Sequence, residues 1–139
     1  MRDKVFIDTN VFVYTTLEDE AEGAKYQKAK KLIKQLSDHE TVVSTQILNE
    51  FYSVLVKHKV PENEIQDKVN TIIEDSTLAL VRIETIRSSW QIRMKYRFSL
   101  WDSLIIASAV ENECSLLYTE DLQHNQLIGD RLKIINPFI

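Results

Sequence analysis

The stretch that decides the fold is Val5-Phe6-Ile7-Asp8-Thr9-Asn10, near the start of a chain of 139 residues. Its first three residues are β-branched or aromatic, which predicts a short buried strand. Asp8 then lies at the carboxyl end of that strand, the end at which open α/β sheets bind ligands. A buried carboxylate is costly there unless it is paired or binds a cation. The structural alternative is that Asp8 or Thr9 caps the helix that follows.

The composition predicts one globular domain, residues 1–139, with a core large enough to fold without cross-links. Apolar residues make up 44% and charged residues 27% of the sequence, which argues against a disordered chain. The single cysteine, Cys114, excludes an intrachain disulfide and a cysteine-based zinc site. We expect a buried thiol there, in a reducing cytoplasm. The sequence has neither a stretch long enough to span a membrane nor a signal peptide, so we expect a cytoplasmic protein.

Strands and helices alternate along the rest of the chain. We predict further strands at residues 41–44, 77–81, 115–118 and 133–135. The stretch Leu104–Val110 is apolar on nearly all sides, which predicts a central buried helix. In a helix from about Glu84 to Tyr96 we expect Ile86, Trp90 and Met94 to face inward. The pattern predicts an α/β fold, a three-layer α/β/α sandwich with a central parallel sheet of four to five strands.

Four acidic residues fall where such a sheet brings its strand ends together. Asp8 ends the first strand and Asp121 follows the strand at 115–118. Glu50 lies beside the core-facing stripe of the helix after the second strand, where a solvated glutamate is not expected. Asp102 opens the helix that precedes the strand at 115–118. Because these positions converge outside the carboxyl ends of the strands, we expect the four carboxylates to share one site.

Structural alternatives exist for these acids. Glu50 could extend to solvent or pair with a lysine. Ser99 and Asp102 have the spacing of a capping box, and a capping role is compatible with a metal-binding role. Glu120 is adjacent to Asp121, and the sequence does not separate the parts that these two acids play.

Carboxylates gathered in one site raise each other's pKa unless a cation neutralises them. Oxygen ligands without cysteine favour Mg²⁺ or Mn²⁺ over zinc. Such a site is suited to phosphodiester hydrolysis, because the metal orients a water and stabilises charge on the leaving oxygen. With two glycines in all, the sequence has no glycine-rich phosphate loop. The histidines lack ligand spacing and are assigned no role: His39, His58 and His124.

Two segments are rich in basic residues, although the whole chain is mildly acidic, with 17 Lys+Arg against 21 Asp+Glu. A helix predicted from about Ala21 to Leu36 carries five lysines: Lys25, Lys28, Lys30, Lys31 and Lys34. The stretch Arg87–Arg97 is also basic. Both patterns favour a solvated helix surface. The alternative is contact with RNA phosphates.

The sequence resembles PIN-domain ribonucleases in four blocks that occur in the family's order. The blocks are Phe6–Val11, Glu50 in its amphipathic helix, Tyr96–Ala109 and Leu117–Leu122. The ending Leu132–Phe138 also resembles the last strand of the family's VapC-type toxins. Each block alone is weakly specific, whereas the ordered set spans nearly the whole chain.

This resemblance implies a homodimeric α/β/α sandwich with Mg²⁺- or Mn²⁺-dependent endoribonuclease activity. The residues that match the acidic, metal-binding quartet are Asp8, Glu50, Asp102 and Asp121, of which Asp8 and Asp102 would be the principal ligands. The residues that match the supporting polar groups, which hold the carboxylates by hydrogen bonds, are Thr9, Asn10 and Thr119. In VapC-type toxins a cognate antitoxin protein inserts a peptide near this site and blocks it.

Two other functions remain possible from the residues alone. A non-catalytic α/β module could bind RNA or a protein through its basic helices, with the acids serving as caps. An aspartyl-phosphate phosphatase also has an Asp at the end of its first strand. The second position of that loop is normally an acid, however, and here it is Asn10.

Overall fold

The computed structural model describes residues 3–17 and 23–139. Within these ranges the strands are β1 (Lys4–Ile7), β2 (Glu40–Ser44), β3 (Thr77–Ala79), β4 (Leu116–Tyr118), β5 (Leu127–Ile128) and β6 (Leu132–Ile135). The helices are α1 (Thr9–Thr16), α2 (Gly23–Gln35), α3 (Thr45–Lys57), α4 (Glu62–Asp75), α5 (Ile83–Tyr96) and α6 (Leu100–Glu111).

The strands form one sheet in the order β3-β2-β1-β4-β6-β5. All neighbouring pairs are parallel except β5 with β6. Helices cover both faces, which confirms the predicted α/β sandwich with its parallel sheet. The described sheet has six strands, however, rather than four to five. The added strand, β5, is two residues long, too short to show the alternation by which a strand is recognised in a sequence.

Strand β1 lies in the middle of the sheet and is its most buried part. Val5 and Phe6 are fully buried and Ile7 nearly so. The chain runs from β1 outward to β2 on one side and returns to β4 on the other, so the strand order reverses beside β1. The N–H of Asp8 donates to the carbonyl oxygen of Tyr118 at 3.0 Å, which aligns the carboxyl ends of β1 and β4. Residues that follow these two strands therefore meet at the switch point of the sheet.

Helix α6 is buried from Ser103 to Ala109, as predicted, whereas Val110 at the end of the predicted stretch is 46% exposed. The prediction for its neighbour α5 was wrong for Trp90 and Met94, which are 51% and 78% exposed, while Ile86 is half-buried. The side of α5 against α6 instead carries Thr85 and Ser89, both fully buried. Small side chains allow α5 to approach α6 closely, and their hydroxyls donate to Glu111 and to the carbonyl of Ile86. Because the buried face of α5 carries polar residues, the spacing of its apolar residues predicts the wrong side of the helix as the inner one.

Several smaller predictions have mixed outcomes. The predicted polar loop at 18–20 and the first two residues of the helix predicted from Ala21 lie outside the described residues. Among the α2 lysines, four are exposed, but Lys25 is half-buried and bonded to other side chains. Cys114 is buried, and its burial raises the pKa of the thiol to about 12. None of the described helices combines the length and the apolar character that crossing a membrane requires.

Candidate active site

The four acidic residues singled out in the sequence line one cleft of about 500 Å³ at the carboxyl edge of the sheet. They arrive there on different elements: the end of β1, the middle of α3, the first turn of α6 and the loop after β4. These residues are Asp8, Glu50, Asp102 and Asp121. The sequence-based expectation that they share one pocket therefore agrees with their placement. A larger cavity, of about 990 Å³, lies between α2 and α4 and is lined by none of them.

Asp8 is the most buried of the four acids, with 4% of its surface exposed. Its Oδ1 accepts from the backbone N–H of Thr9 at 2.7 Å, so Asp8 caps α1 as well as lining the cleft. Its Oδ2 accepts from the hydroxyl of Thr119 at 2.6 Å. Burial raises the pKa of Asp8 to about 7 in spite of these two hydrogen bonds, which lower it. The charges of Asp121 and Glu50 raise that pKa further. The ionised form of Asp8 is thus disfavoured in the metal-free protein.

Glu50 is held by hydrogen bonds from both sides of the cleft. Its Oε2 accepts from the hydroxyl of Thr9 at 2.8 Å, and its Oε1 accepts from Nε2 of Gln46 at 2.7 Å. The same Nε2 donates to the backbone carbonyl of Trp101 at 3.3 Å. Gln46 therefore connects Glu50 to the first turn of α6. Within the described residues no lysine pairs with Glu50, and the glutamate is half-buried, with both of its oxygens bonded to side chains of the cleft.

Asp121 and Asp102 complete the cleft. Nδ2 of Asn10 donates to Oδ2 of Asp121 at 3.1 Å, and the N–H of Asp121 donates to the hydroxyl of Thr119 at 3.1 Å. The pKa of Asp121 is raised, first by burial and then by the charges of Asp102, Glu120 and Glu50. The backbone N–H of Asp102 donates to Oγ of Ser99 at 3.1 Å, so Ser99 caps α6 as predicted and leaves the Asp102 carboxylate free for the cleft.

Glu120 has a different environment from Asp121. One of its oxygens accepts from the hydroxyl of Tyr14 at 2.6 Å, and the other forms an ion pair with Lys25 at 3.0 Å. These contacts turn Glu120 away from the quartet and towards α1 and α2. The structure thus separates two adjacent acids whose parts the sequence does not separate.

Sequence reasoning missed three residues that organise this region. Gln46 precedes Glu50 by four residues on one helix, and this i, i+4 spacing was a usable signal. Tyr14 and Lys25 contact Glu120 across more than 90 residues of sequence, and no local pattern connects them. By contrast, the supporting residues predicted from the sequence do donate hydrogen bonds to the carboxylates: Thr9, Asn10 and Thr119.

The residues of the cleft fit a hard divalent cation in their chemistry. All four carboxylates supply oxygen donors, and Oδ1 of Asn10 is buried with no hydrogen-bond partner among the described residues. In the conformation seen, no three acidic, histidine or cysteine side chains within residues 3–17 and 23–139 converge closely enough to hold an ion. Carboxylate oxygens of Asp8, Glu50 and Asp121 accept from neighbouring threonine and amide donors. Holding an ion therefore requires these side chains to move closer to a shared centre, and they can keep their donors because each carboxylate oxygen has a second lone pair for a cation.

Comparisons with known proteins agree with this architecture. The PIN domain family model matches residues 5–128. No curated protein sequence matches the chain.

Among solved structures, the chain is similar to VapC20 of Mycobacterium tuberculosis, a sarcin–ricin loop cleaving toxin. The identity is 14% and the TM-score 0.68, over 84% of this chain and 89% of that one. A toxin–antitoxin complex from Klebsiella pneumoniae matches at 15% identity and a TM-score of 0.71, over 96% and 98% of the two chains. FitAcB from Neisseria gonorrhoeae matches at 14% identity and a TM-score of 0.72, over 96% and 97%. At these identities the likeness shows the fold.

Proposed function

The chain belongs to the PIN domain family, and from that premise we propose that it is a Mg²⁺- or Mn²⁺-dependent endoribonuclease. The observation that carries the proposal is the cleft at the switch point of the sheet, which four carboxylates line. Such a set of oxygen ligands is suited to metal-assisted hydrolysis of a phosphodiester bond. The substrate of the proposed reaction is RNA, and its proposed place is the cytoplasm.

We further propose that the chain is the toxin component of a toxin–antitoxin pair. The similar proteins support this role, since one is a toxin that cleaves the sarcin–ricin loop and another is a toxin–antitoxin complex. The proposed partner is therefore a cognate antitoxin protein. A functional pair predicts that co-expression of the antitoxin relieves the growth arrest that the chain causes alone.

In the proposed reaction four residues would hold the cation, with Asp8 and Asp102 as principal ligands: Asp8, Glu50, Asp102 and Asp121. A bound divalent ion would lower the pKa of its water and stabilise charge on the leaving oxygen. The protein's own hydrogen-bond donors orient the carboxylates. Thr119 and the N–H of Thr9 fix the two oxygens of Asp8. Gln46 and the Thr9 hydroxyl fix those of Glu50, and Asn10 fixes Asp121.

Addition of Mn²⁺ is expected to stabilise the protein against heat, because the ion binds the folded cleft and not the unfolded chain. At a hundred times the dissociation constant, the free energy of unfolding rises by about 2.7 kcal/mol. Thermal denaturation with and without Mn²⁺, alongside isothermal titration calorimetry, measures this effect. Asp102→Asn is the matched variant and is expected to lose most of the shift. Equal melting temperatures with and without Mn²⁺, and no heat of binding, would favour the non-catalytic module.

The phosphatase alternative is distinguished by a covalent intermediate. It predicts a phosphoenzyme on Asp8, which a fluoride-trapping experiment followed by mass spectrometry would detect. The proposed nuclease forms none.

We propose that the protein is a homodimer that uses the outer face of α5. Ile83, Trp90 and Met94 recur on one side of this helix and are each more than half exposed, so they form an apolar face without partners among the described residues. Burial of such a face is favourable by about 25 cal/mol per Å². The contact is tested by placing a charge in it.

Trp90→Glu is expected to shift a dimer to monomers, because it buries an unpaired carboxylate in an apolar contact. Sedimentation-velocity measurements at several protein concentrations report the change in mass. Val56→Glu is the control, since Val56 is 46% exposed on a different helix, α3. A Trp90→Glu protein that keeps the mass of the unaltered chain would remove α5 from the interface.

A further inference from the structure

Trp101 is an exposed aromatic residue inside the proposed active site. Its side chain is 63% exposed, and it lines the same cleft as the four carboxylates. It immediately precedes Asp102 in the first turn of α6. An indole left in water beside an acidic site is available to a ligand that offers a flat apolar face.

The backbone that carries Trp101 is fixed to the acids. Its carbonyl oxygen accepts from Nε2 of Gln46, the same nitrogen that binds Glu50. On the other side of Trp101, the N–H of Asp102 is capped by Ser99. The Cα and Cβ atoms of Trp101 are therefore held at a defined place relative to the carboxylates. Only the orientation of the ring remains to be fixed by a ligand.

A second aromatic residue in the cleft, Tyr14, is already engaged. Its hydroxyl donates to Glu120 and its ring packs edge-on against Phe138 at 5.0 Å between centroids. Apolar side chains of Val13, Val54 and Ile105 line the same cleft. The lining of the cleft thus combines carboxylates, which suit a metal and a phosphate, with apolar side chains and one exposed ring.

We propose that Trp101 is a stacking platform for an unpaired nucleobase next to the phosphodiester that is cleaved. This inference rests on the proposed nuclease function and adds a positioning residue to it. A base inside an A-form duplex is stacked on both faces and cannot lie on a protein ring, whereas a base in a loop or single strand can. Trp101 is a positioning residue, since it acts on the base and not on the reacting atoms.

Steady-state cleavage of a short single-stranded oligoribonucleotide with Mn²⁺ tests the platform. Trp101→Ala is expected to raise KM by about 5- to 150-fold, which is the range that stacking of one base supplies. Trp101→Phe keeps an aromatic face and is expected to restore most of the loss. Val110→Ala is the control, because Val110 is exposed at the far end of the same helix and lies outside the cleft.

Abasic substrates provide a readout that a structural defect would not reproduce. Each nucleotide that flanks the cleaved bond is replaced in turn by an abasic one. With the unaltered protein, one of these positions is expected to show a raised KM. With Trp101→Ala, the same abasic change is expected to have no further effect, because the base and the ring act as one pair.

The outcomes separate this inference from the proposed function. Unaltered cleavage by Trp101→Ala, or an abasic penalty that persists in it, overturns the platform while the nuclease stands. A Trp101→Ala protein that becomes monomeric assigns the ring to the contact between two copies and also overturns it. If the unaltered protein neither binds nor cleaves RNA, both proposals fall. Faster cleavage of a blunt duplex than of the single strand also overturns the platform and leaves the nuclease standing, because a base stacked within a duplex cannot lie on the ring.

Discussion

Asp102→Asn is expected to lower the rate of RNA cleavage by about 100- to 1000-fold while the protein stays folded. Asp102 is one of the two principal ligands proposed for the cation, and a metal ion contributes several kcal/mol of transition-state stabilisation. The amide that replaces the carboxylate is neutral and binds a hard cation weakly. Single-turnover cleavage with Mn²⁺ measures the loss.

The fold should tolerate this change because Asp102 contributes to α6 through its backbone. The cap of the helix is the bond from its N–H to Ser99, which asparagine keeps. Circular dichroism and thermal denaturation without metal are expected to match those of the unaltered protein. Glu120→Gln is the matched acid-to-amide control, since Glu120 is bonded to Tyr14 and Lys25 and stands outside the quartet. Cleavage by Asp102→Asn at the rate of the control would remove Asp102 from the chemistry.

Asp8→Asn is expected to stabilise the metal-free protein at pH 8 while abolishing cleavage. The pKa of Asp8 rises from 3.8 to about 7 on folding, mainly through burial. A carboxyl whose pKa is raised in the folded state stabilises that state fully below the unfolded pKa. This stabilisation is lost as the pH rises from about 4 to about 7, because the folded protein must then hold a buried charge. At 1.36 kcal/mol per unit of pKa, the loss amounts to at most about 4 kcal/mol.

Asparagine removes the ionisation and keeps the main contacts. Its amide oxygen can accept from the N–H of Thr9, and its amide nitrogen can donate to the hydroxyl of Thr119. Urea denaturation in EDTA at pH 4 and pH 8 measures the free energy of unfolding of both proteins. We expect similar values at pH 4 and a more stable variant at pH 8. A variant that is less stable than the unaltered protein at pH 8 only would contradict the raised pKa.

Much of the fold follows from the sequence because its decisive segments are short and strongly patterned. The run Val5–Ile7 predicts the central strand, and the apolar stretch Leu104–Val110 predicts the buried helix. The convergence of the acids follows from topology alone, since the ends of parallel strands meet at one edge. Hydrophobic periodicity predicted the wrong inner side for α5, because Thr85 and Ser89 are buried against the core and Trp90 is exposed to solvent.

Details of the site depend on contacts between distant parts of the chain, which one sequence does not encode locally. The pairing of Glu120 with Lys25 and Tyr14 joins residues far apart in the chain, so adjacency to Asp121 gave no indication of it. The bond from Gln46 to Trp101 depends on how α3 and α6 pack. The roles of the four acids, and of Thr9, Asn10 and Thr119, stay predictions until the variants are measured.

The burial of Asp8 also has an evolutionary consequence. If Asp8→Asn stabilises the protein as expected, selection for thermal robustness alone would favour asparagine at this position, and the proposed role in metal binding would be what retains the carboxylate. In a lineage that no longer needs the activity, substitution at position 8 should be among the earliest changes to spread. Such descendants would lack the proposed activity yet be more stable, and would keep the surfaces proposed for contact with other proteins.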